Sequence, residues 1–369
     1  HHGQPARLSD PALRLPDPSF SSRFLISATV CACQRRDGIY VTTMLTLCYG
    51  TNREDPKIEW FIASLLDQGY KEKLPGARVV VVDFHAFSRD LEFKAQLARV
   101  GALHVPPKPC VWQGPHKLTK QDWFAASNCR NTGLCLALDG TIAYCDDVSV
   151  LMPGWLDAVI EASLRQGVTC GAYRKVKKLV VAINGSVESF EDFPFGYDNR
   201  LRTISVPGFS GEQLYSPNNL KNNMPLEVPC GDYLYGCSLV APVESLLAVG
   251  GWPEAWCDGM GFEDVIMGIL LHNAGNKFYY DSRIMSWESE EAHFTNTVFL
   301  RADYGQSPHD KSHEVLNQAR LAKHHPNHFA IYGGIRAIRE RVMRGEPFPV
   351  VNDPQHEWFT RTRLSELVP

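Results

Sequence analysis

The chain has 369 residues, 44% apolar, 11% aromatic and 21% charged, and its 37 Lys plus Arg against 41 Asp plus Glu leave a net charge of −4. That length allows two compact domains or one large α/β unit with a sizeable core, and the charge excludes a general polyanion binder. The composition excludes coiled coil, collagen and disorder, and no apolar run approaches the roughly 18 residues of a membrane span.

The N-terminus begins His1-His2-Gly3, like the remnant of an affinity tag, and runs through Pro5, Pro11, Pro16 and Pro18. Phe24 to Cys33 has the length of a signal-peptide core, but it follows a Pro-rich polar stretch instead of a short basic start. The first Met, Met44, opens Met44-Leu45-Thr46-Leu47-Cys48-Tyr49-Gly50, a predicted first strand. Residues 1–43 are therefore read as a tag, leader or N-terminal extension outside the catalytic domain. Asp55-Pro56 predicts a cap and first helical position. Ile58, Phe61, Ile62, Leu65 and Leu66 then share one helix face, with a stop at Gly69. Val79 to Val82, ending at Asp83, reads as a buried parallel strand. Thr141 to Cys145 reads as another, ending in Asp146-Asp147, and Pro153 opens a helix that stops at Gly167. This alternation predicts a mainly parallel sheet flanked by helices. Ligands of such sheets sit at the carboxyl ends of the strands, where Tyr49 to Arg53, Asp83 and Asp146-Asp147 fall.

Residues 191 to 230 hold no period and read as a long functional loop, a lid or acceptor-binding segment. A helix is predicted from Phe262 to Ala274, and a basic helical tail from Ile335 to Arg344. Eleven cysteines are scattered singly with no CxxC pair, which fits small buried hydrophobes in a reducing compartment.

Three elements carry chemistry. Asp146-Asp147 repel each other unless a cation or hydrogen-bond donors offset their charge, and an oxygen-rich site suits Mg²⁺ or Mn²⁺; such pairs also serve simply as caps. Glu263-Asp264 opens the predicted helix behind Gly259-Met260-Gly261. Charge complementation of the helix start is one reading; the other is a carboxylate ionised at neutral pH, as a general base must be, with glycines leaving room for a second molecule. Arg130-Asn131 heads the apolar segment Leu134 to Leu138, where Arg130 either holds a phosphate or makes a surface ion pair.

In this order the elements resemble the GT-A glycosyltransferases, particularly their large inverting family-two group. The resemblance rests on Tyr49-Gly50-Thr51-Asn52-Arg53, Asp83, Arg130-Asn131-Thr132-Gly133, and Tyr144-Cys145-Asp146-Asp147 followed by Met152-Pro153-Gly154-Trp155-Leu156. Gly250-Gly251-Trp252-Pro253-Glu254 and Gly261-Phe262-Glu263-Asp264-Val265 are similar to segments of galactosyltransferase-like members. The resemblance spans about Met44 to Asp281. It implies a Rossmann-like GT-A α/β fold with a mostly helical C-terminal extension: residues 44–150 as the nucleotide-sugar-binding half, 151–300 as the acceptor-binding and catalytic half, and 301–369 as the extension.

The resemblance further implies a nucleotide-diphosphate sugar donor bound by Tyr49, Gly50, Thr51, Arg53, Asp83, Arg130, Asn131 and Asp146, with Asp83 reading the base. Mn²⁺ or Mg²⁺ would sit on Asp147 and Asp146, with His293, or secondly His309, as a further ligand. Asp264 would be the general base, with Glu263 beside it. The acceptor, a glycan or another hydroxyl-bearing molecule, would lie near Asp232, Trp252 and Glu263, with Trp252 either a sugar-stacking platform or core. One departure stands out: Val148 occupies the position that usually contacts metal. Either Asp147 does that work, or the metal is held weakly, or it is dispensable.

Two rival readings remain. A nucleotidyltransferase is faintly echoed by Gly50-Thr51-Asn52-Arg53, but its phosphate loop needs more glycines. A non-catalytic sugar- or nucleotide-binding module rests on Val148 alone. The basic run Arg174, Lys175, Lys177 and Lys178 leaves room for an anionic acceptor, including nucleic acid or lipid phosphate. A cytoplasmic protein, soluble or membrane-peripheral, is the expectation.

Overall fold

The computed structural model describes residues 32–36, 39–108, 125–192, 224–229, 231, 234–254, 263–295 and 334–348, with the backbone alone for 32–43 and 293–295. β1 (Ala32–Arg36) and β2 (Ile39–Thr43) pair antiparallel as a small sheet of their own. The main sheet begins with β3 (Leu45–Thr51), one residue past Met44. There follow α1 (Ile58–Asp67), α2 (Tyr70–Lys73), β4 (Arg78–Asp83), α3 (Leu91–Ala98), β5 (Leu103–Val105) and α4 (Ala126–Leu136). Next come β6 (Thr141–Asp146), β7 (Ser149–Leu151), α5 (Trp155–Ser163), β8 (Val168–Val176), and the hairpin of β9 (Lys178–Val181) and β10 (Val187–Glu191). The rest is β11 (Leu226–Val228), a 3₁₀ turn at Gly236–Ser238, β12 (Leu239–Pro242), α6 (Val243–Ala248), α7 (Glu263–Asn273), β13 (Phe278–Ser289), α8 (Glu290–Thr295) and α9 (Ile335–Met343).

The main sheet runs β11-β13-β8-β12-β6-β3-β4-β5, with β7 joined to β13. β6, β3, β4 and β5 are parallel; β12 is antiparallel between β6 and β8, and β13 returns parallel to β8. This is the expected α/β class, a large mostly parallel sheet between helices, consistent with a Rossmann-like GT-A fold.

Covering both faces explains why the central strands read as unbroken apolar runs. Leu45, Leu47, Tyr49, Val79, Val81 and Ala143 point to one side, into a core shared with Phe61 and Leu65 of α1 and Leu156 and Val159 of α5. Cys48, Val80, Val82, Ile142 and Tyr144 point to the other, toward Leu134 of α4, Leu246 of α6 and Met267 and Leu271 of α7. Each buried Val, Leu, Ile, Phe or Met among them contributes about 1.5–3 kcal/mol. Cys48, Cys129, Cys135, Cys145 and Cys170 are free thiols within these layers.

Two helix starts differ from the sequence reading. α1 begins at Ile58, not Pro56, because the Pro56 carbonyl accepts from Tyr49 Oη (2.8 Å) and from the Val148 amide (2.9 Å). That oxygen is turned to the strand ends and cannot open the helical ladder; Lys57, at φ 56, makes the turn instead. The resemblance also implies a helix start at Arg130-Asn131-Thr132-Gly133, but α4 begins at Ala126, so Arg130 and Asn131 lie in its second turn.

β13 is a strand that the sequence reading passed over. Alternate residues of it are buried throughout, but Ser282, Ser286 and Glu288 among them are polar, so no apolar period shows, and its pairing with β8 shifts between Tyr280 and Met285. The chain crosses Gly171 there so closely that a Cβ on that glycine would sit 2.2 Å from the Ile284 carbonyl oxygen. Most of the expected 191–230 loop lies outside the described residues, although Glu191 ends β10 and β11 falls inside that range. Among the described residues no helix is long and apolar enough to cross a membrane.

Candidate active site

A cavity of about 220 Å³ opens at the carboxyl ends of β3 and β6, closed by the start of α7, the end of β13 and the 3₁₀ turn. Gly50, Arg53, Arg130, Asp146, Asp147, Glu263, Asp264 and Glu288 all line it. Arg130 is at its centre. Its Nη1 donates to Glu263 Oε1 at 2.8 Å, and its Nη2 lies 3.3 and 3.4 Å from the two oxygens of Asp146. Burial opposes the guanidinium charge, but Asp146 and Glu263 outweigh it and hold Arg130 protonated.

Asp264 departs from the sequence expectation of an ordinary ionised carboxylate. Burial, then the charge of Glu263, pushes its pKa up to about 7, against the opposing pull of Arg130 and of the Val265 amide, which donates to Oδ1 at 2.8 Å. Desolvation beside a like charge outweighs the helix-start field. A carboxyl poised there suits proton transfer at neutral pH. Glu288 is the residue that sequence reasoning missed. Burial pushes it to about 7 as well, partly offset by Lys175, whose Nζ lies 3.7 Å from Glu288 and 2.7 Å from Glu290. The hidden strand concealed it; the one available signal was Trp287-Glu288-Ser289, an apolar–charged alternation.

The carboxylate pair divides its work. Asp147, expected as the leading cation ligand, has Oδ1 on Arg53 Nε (2.9 Å) and Oδ2 on Thr51 Oγ1 (2.7 Å). Burial raises its pKa despite Arg53 and Thr51. Val148, at φ 51 and 1% exposed, turns its side chain into the core, a costly conformation for a β-branched residue. Among the described residues no group of three or more His, Cys, Asp or Glu is placed to hold a metal. The side chain of His293, and all of His309, lie outside the described residues. Asp146 and Asp147 both line the cavity, and Asp146, with its side chain 31% exposed against 11% for Asp147, is the more open member of the pair.

Several donor-site expectations fall on buried structural groups. Asp83 is fully buried and accepts from Arg89 Nε (2.7 Å), Arg89 Nη2 (2.9 Å) and the His85 amide (2.9 Å), with His104 Nε2 at 2.9 Å. Burial alone would raise its pKa; the bonds from His104 and Arg89 outweigh that and hold it below the usual carboxylate range. Its oxygens face these partners, so base reading gains no geometric support. Tyr49 is spent on Pro56. Asn131 donates to the Trp252 carbonyl (2.8 Å) and to Glu254 Oε1 (2.7 Å), and accepts from the Trp252 amide (2.8 Å). Trp252 is the core residue of its two alternatives: fully buried, edge-on to Tyr144 at 5.3 Å. Asp232 lies outside the described residues.

A larger cavity, about 640 Å³, lies between α1 and α3 beside Glu54, Glu59, Asp90 and Glu92. Its Arg89 is committed to Asp83, and its His85 has Nε2 at 2.9 Å from the Asn52 carbonyl.

The fold and site define an α/β protein of GT-A-like architecture with an Arg-bridged carboxylate cavity at its strand ends. No protein-family model matches the chain, and no curated protein sequence does. Among solved structures it is similar to TarS of S. aureus, with 14% identity and a TM-score of 0.40, covering 79% of this chain and 45% of that one. The chain thus spans less than half of that chain's length, and a likeness so loose carries no argument about activity.

Proposed function

We propose that this chain transfers a sugar from a nucleotide-diphosphate donor to an acceptor hydroxyl with inversion at the anomeric carbon. The observation that carries this reading is the meeting of Arg130, Asp146, Glu263 and Asp264 at one cavity, from segments as far apart as 133 residues. Asp264 takes the proton of the acceptor hydroxyl as that oxygen forms its bond to C1. The C1–O bond to the diphosphate breaks on the opposite face, and its electron pair leaves with the phosphate. Arg130, held protonated, offsets the charge that develops there. Lys175 brings a second positive charge to the same cavity.

A nucleotide-sugar panel tests the reading, run with and without hydroxyl acceptors, in chelator and in Mn²⁺. Release of a nucleoside diphosphate supports it. Pyrophosphate made from a sugar phosphate and a nucleoside triphosphate would favour a nucleotidyltransferase, and binding without turnover a binding module. Turnover only with Mn²⁺ would assign a cation to Asp146, with His293 as the first further ligand to mutate.

A further inference from the structure

The Arg130 guanidinium lies in a slot. Its Cζ is 4.8 Å from the centroid of the Trp252 ring. On Gly236, a Cβ would fall 2.3 Å from that Cζ and 2.5 and 2.6 Å from Nη2 and Nη1. Only a residue without a side chain leaves room for the planar group. Its Nε is buried and has no hydrogen-bond partner among the described residues, while both Nη groups are engaged by Glu263 and Asp146. The indole is itself fixed. Asn131, the next residue of α4, grips both the amide and the carbonyl of Trp252, and Glu254 is tied to Asn131 and to Lys108 at 2.6 Å. One helix therefore supplies the guanidinium and the amide that holds the ring against it.

We propose that Trp252 and Gly236 form a slot that keeps the Arg130 guanidinium flat and its two Nη groups on Glu263 and Asp146, making Trp252 a positioning residue that acts through Arg130 and touches no substrate. A free arginine side chain samples many rotamers, and ordering it is costly. A ring face on one side offsets that cost by cation–π attraction, and bare backbone on the other leaves the fork a single plane. The kinetic consequence rests on the glycosyl-transfer reading; the slot itself does not.

The test uses the full chain and the Nε–H resonance of Arg130 in ¹⁵N spectra, assigned with Arg130→Lys. Lying over the indole, it should be shifted upfield by the ring current and protected from exchange with water. Trp252→Phe should keep both properties; Trp252→Leu and Gly236→Ala should lose them. In the transfer reaction the last two should lower kcat about 10²-fold, as expected for a misplaced catalytic environment, with donor KM nearly unchanged and Trp252→Phe close to wild type. If Trp252→Leu does not fold, Gly236→Ala decides from the opposite face, where only the far end of a flexible side chain must move. A wild-type resonance and kcat in folded Trp252→Leu or Gly236→Ala would overturn the slot. An intact resonance in a protein that transfers no sugar would sink the reading of function and leave the slot standing.

Discussion

Arg130 and Glu263, 133 residues apart in the chain, share a 2.8 Å hydrogen bond that ties α4 to the first turn of α7. Through it the carboxylates at the end of β6 and at the start of α7 answer to one guanidinium. Removing either partner therefore perturbs both.

Asp264→Asn keeps the size of the side chain but cannot accept a proton. Transfer should fall by about 10²–10⁴-fold, the usual contribution of a general base, with donor affinity little changed. Glu263→Gln should cost less in rate, because its amide oxygen can still accept from Arg130. Steady-state kinetics with donor binding measured separately distinguishes the two; near wild-type transfer by Asp264→Asn would place the base elsewhere.

The base acts deprotonated, so transfer should rise with pH through about 7 and level off above it. Stability should move the opposite way. Asp264 and Glu288 both titrate near 7 in the fold, above the ordinary carboxylate values of 3.8 and 4.5. Between those limits the folded chain binds protons that the unfolded chain releases, so stability falls as pH rises across the window. Thermal melting at pH 5 should exceed that at pH 8, and the double variant Asp264→Asn/Glu288→Gln should flatten the slope.

Asp147 is bound to Arg53 and Thr51, and its removal takes a close carboxylate from a buried guanidinium and an acceptor from a buried hydroxyl. Asp147→Ala should cost roughly 3–5 kcal/mol, whether or not Mn²⁺ is present. Urea denaturation of wild type and variant with and without the ion checks this. Stabilisation of wild type alone by Mn²⁺ would show that Asp147 leaves Arg53 to bind the cation.

Asp83→Asn should act on the fold, not on the choice of nucleotide. It leaves Arg89 and His104 without their buried carboxylate, at a cost of about 2–4 kcal/mol. Because the wild-type carboxyl is held below 3.8, its contribution is present above that pH and is lost as pH falls through the lower folded value. A panel of donors with different bases should lose affinity together; loss confined to one base would restore the base-reading role.

The strand and helix framework was legible because its signals are local. β3, β4 and β6 are apolar runs that end in Thr51, Asp83 and Asp146, and a strand covered on both faces has no other pattern to show. The helix opened by Glu263 was equally plain from its spacing. β13 was hidden because Ser282, Ser286 and Glu288 occupy buried alternate positions where an apolar residue would have marked a strand, and with it went Glu288.

By itself the sequence determined the α/β class, the strand ends at which a site could form, and the acidic and basic residues available there. Which of those residues face the cavity was decided by tertiary structure. A left-handed turn at Val148 and the reach of Arg53 hold Asp147 against the framework, while Asp146 stays more open to the cavity they both line. Arg89 and His104 draw Asp83 inward, and Asn131 holds Trp252 beneath Arg130. Asp264 has its proton affinity from desolvation and from Glu263 and Arg130. Side-chain direction, burial and pKa depend on groups that distant segments bring within a few ångströms, and local spacing does not encode those distances.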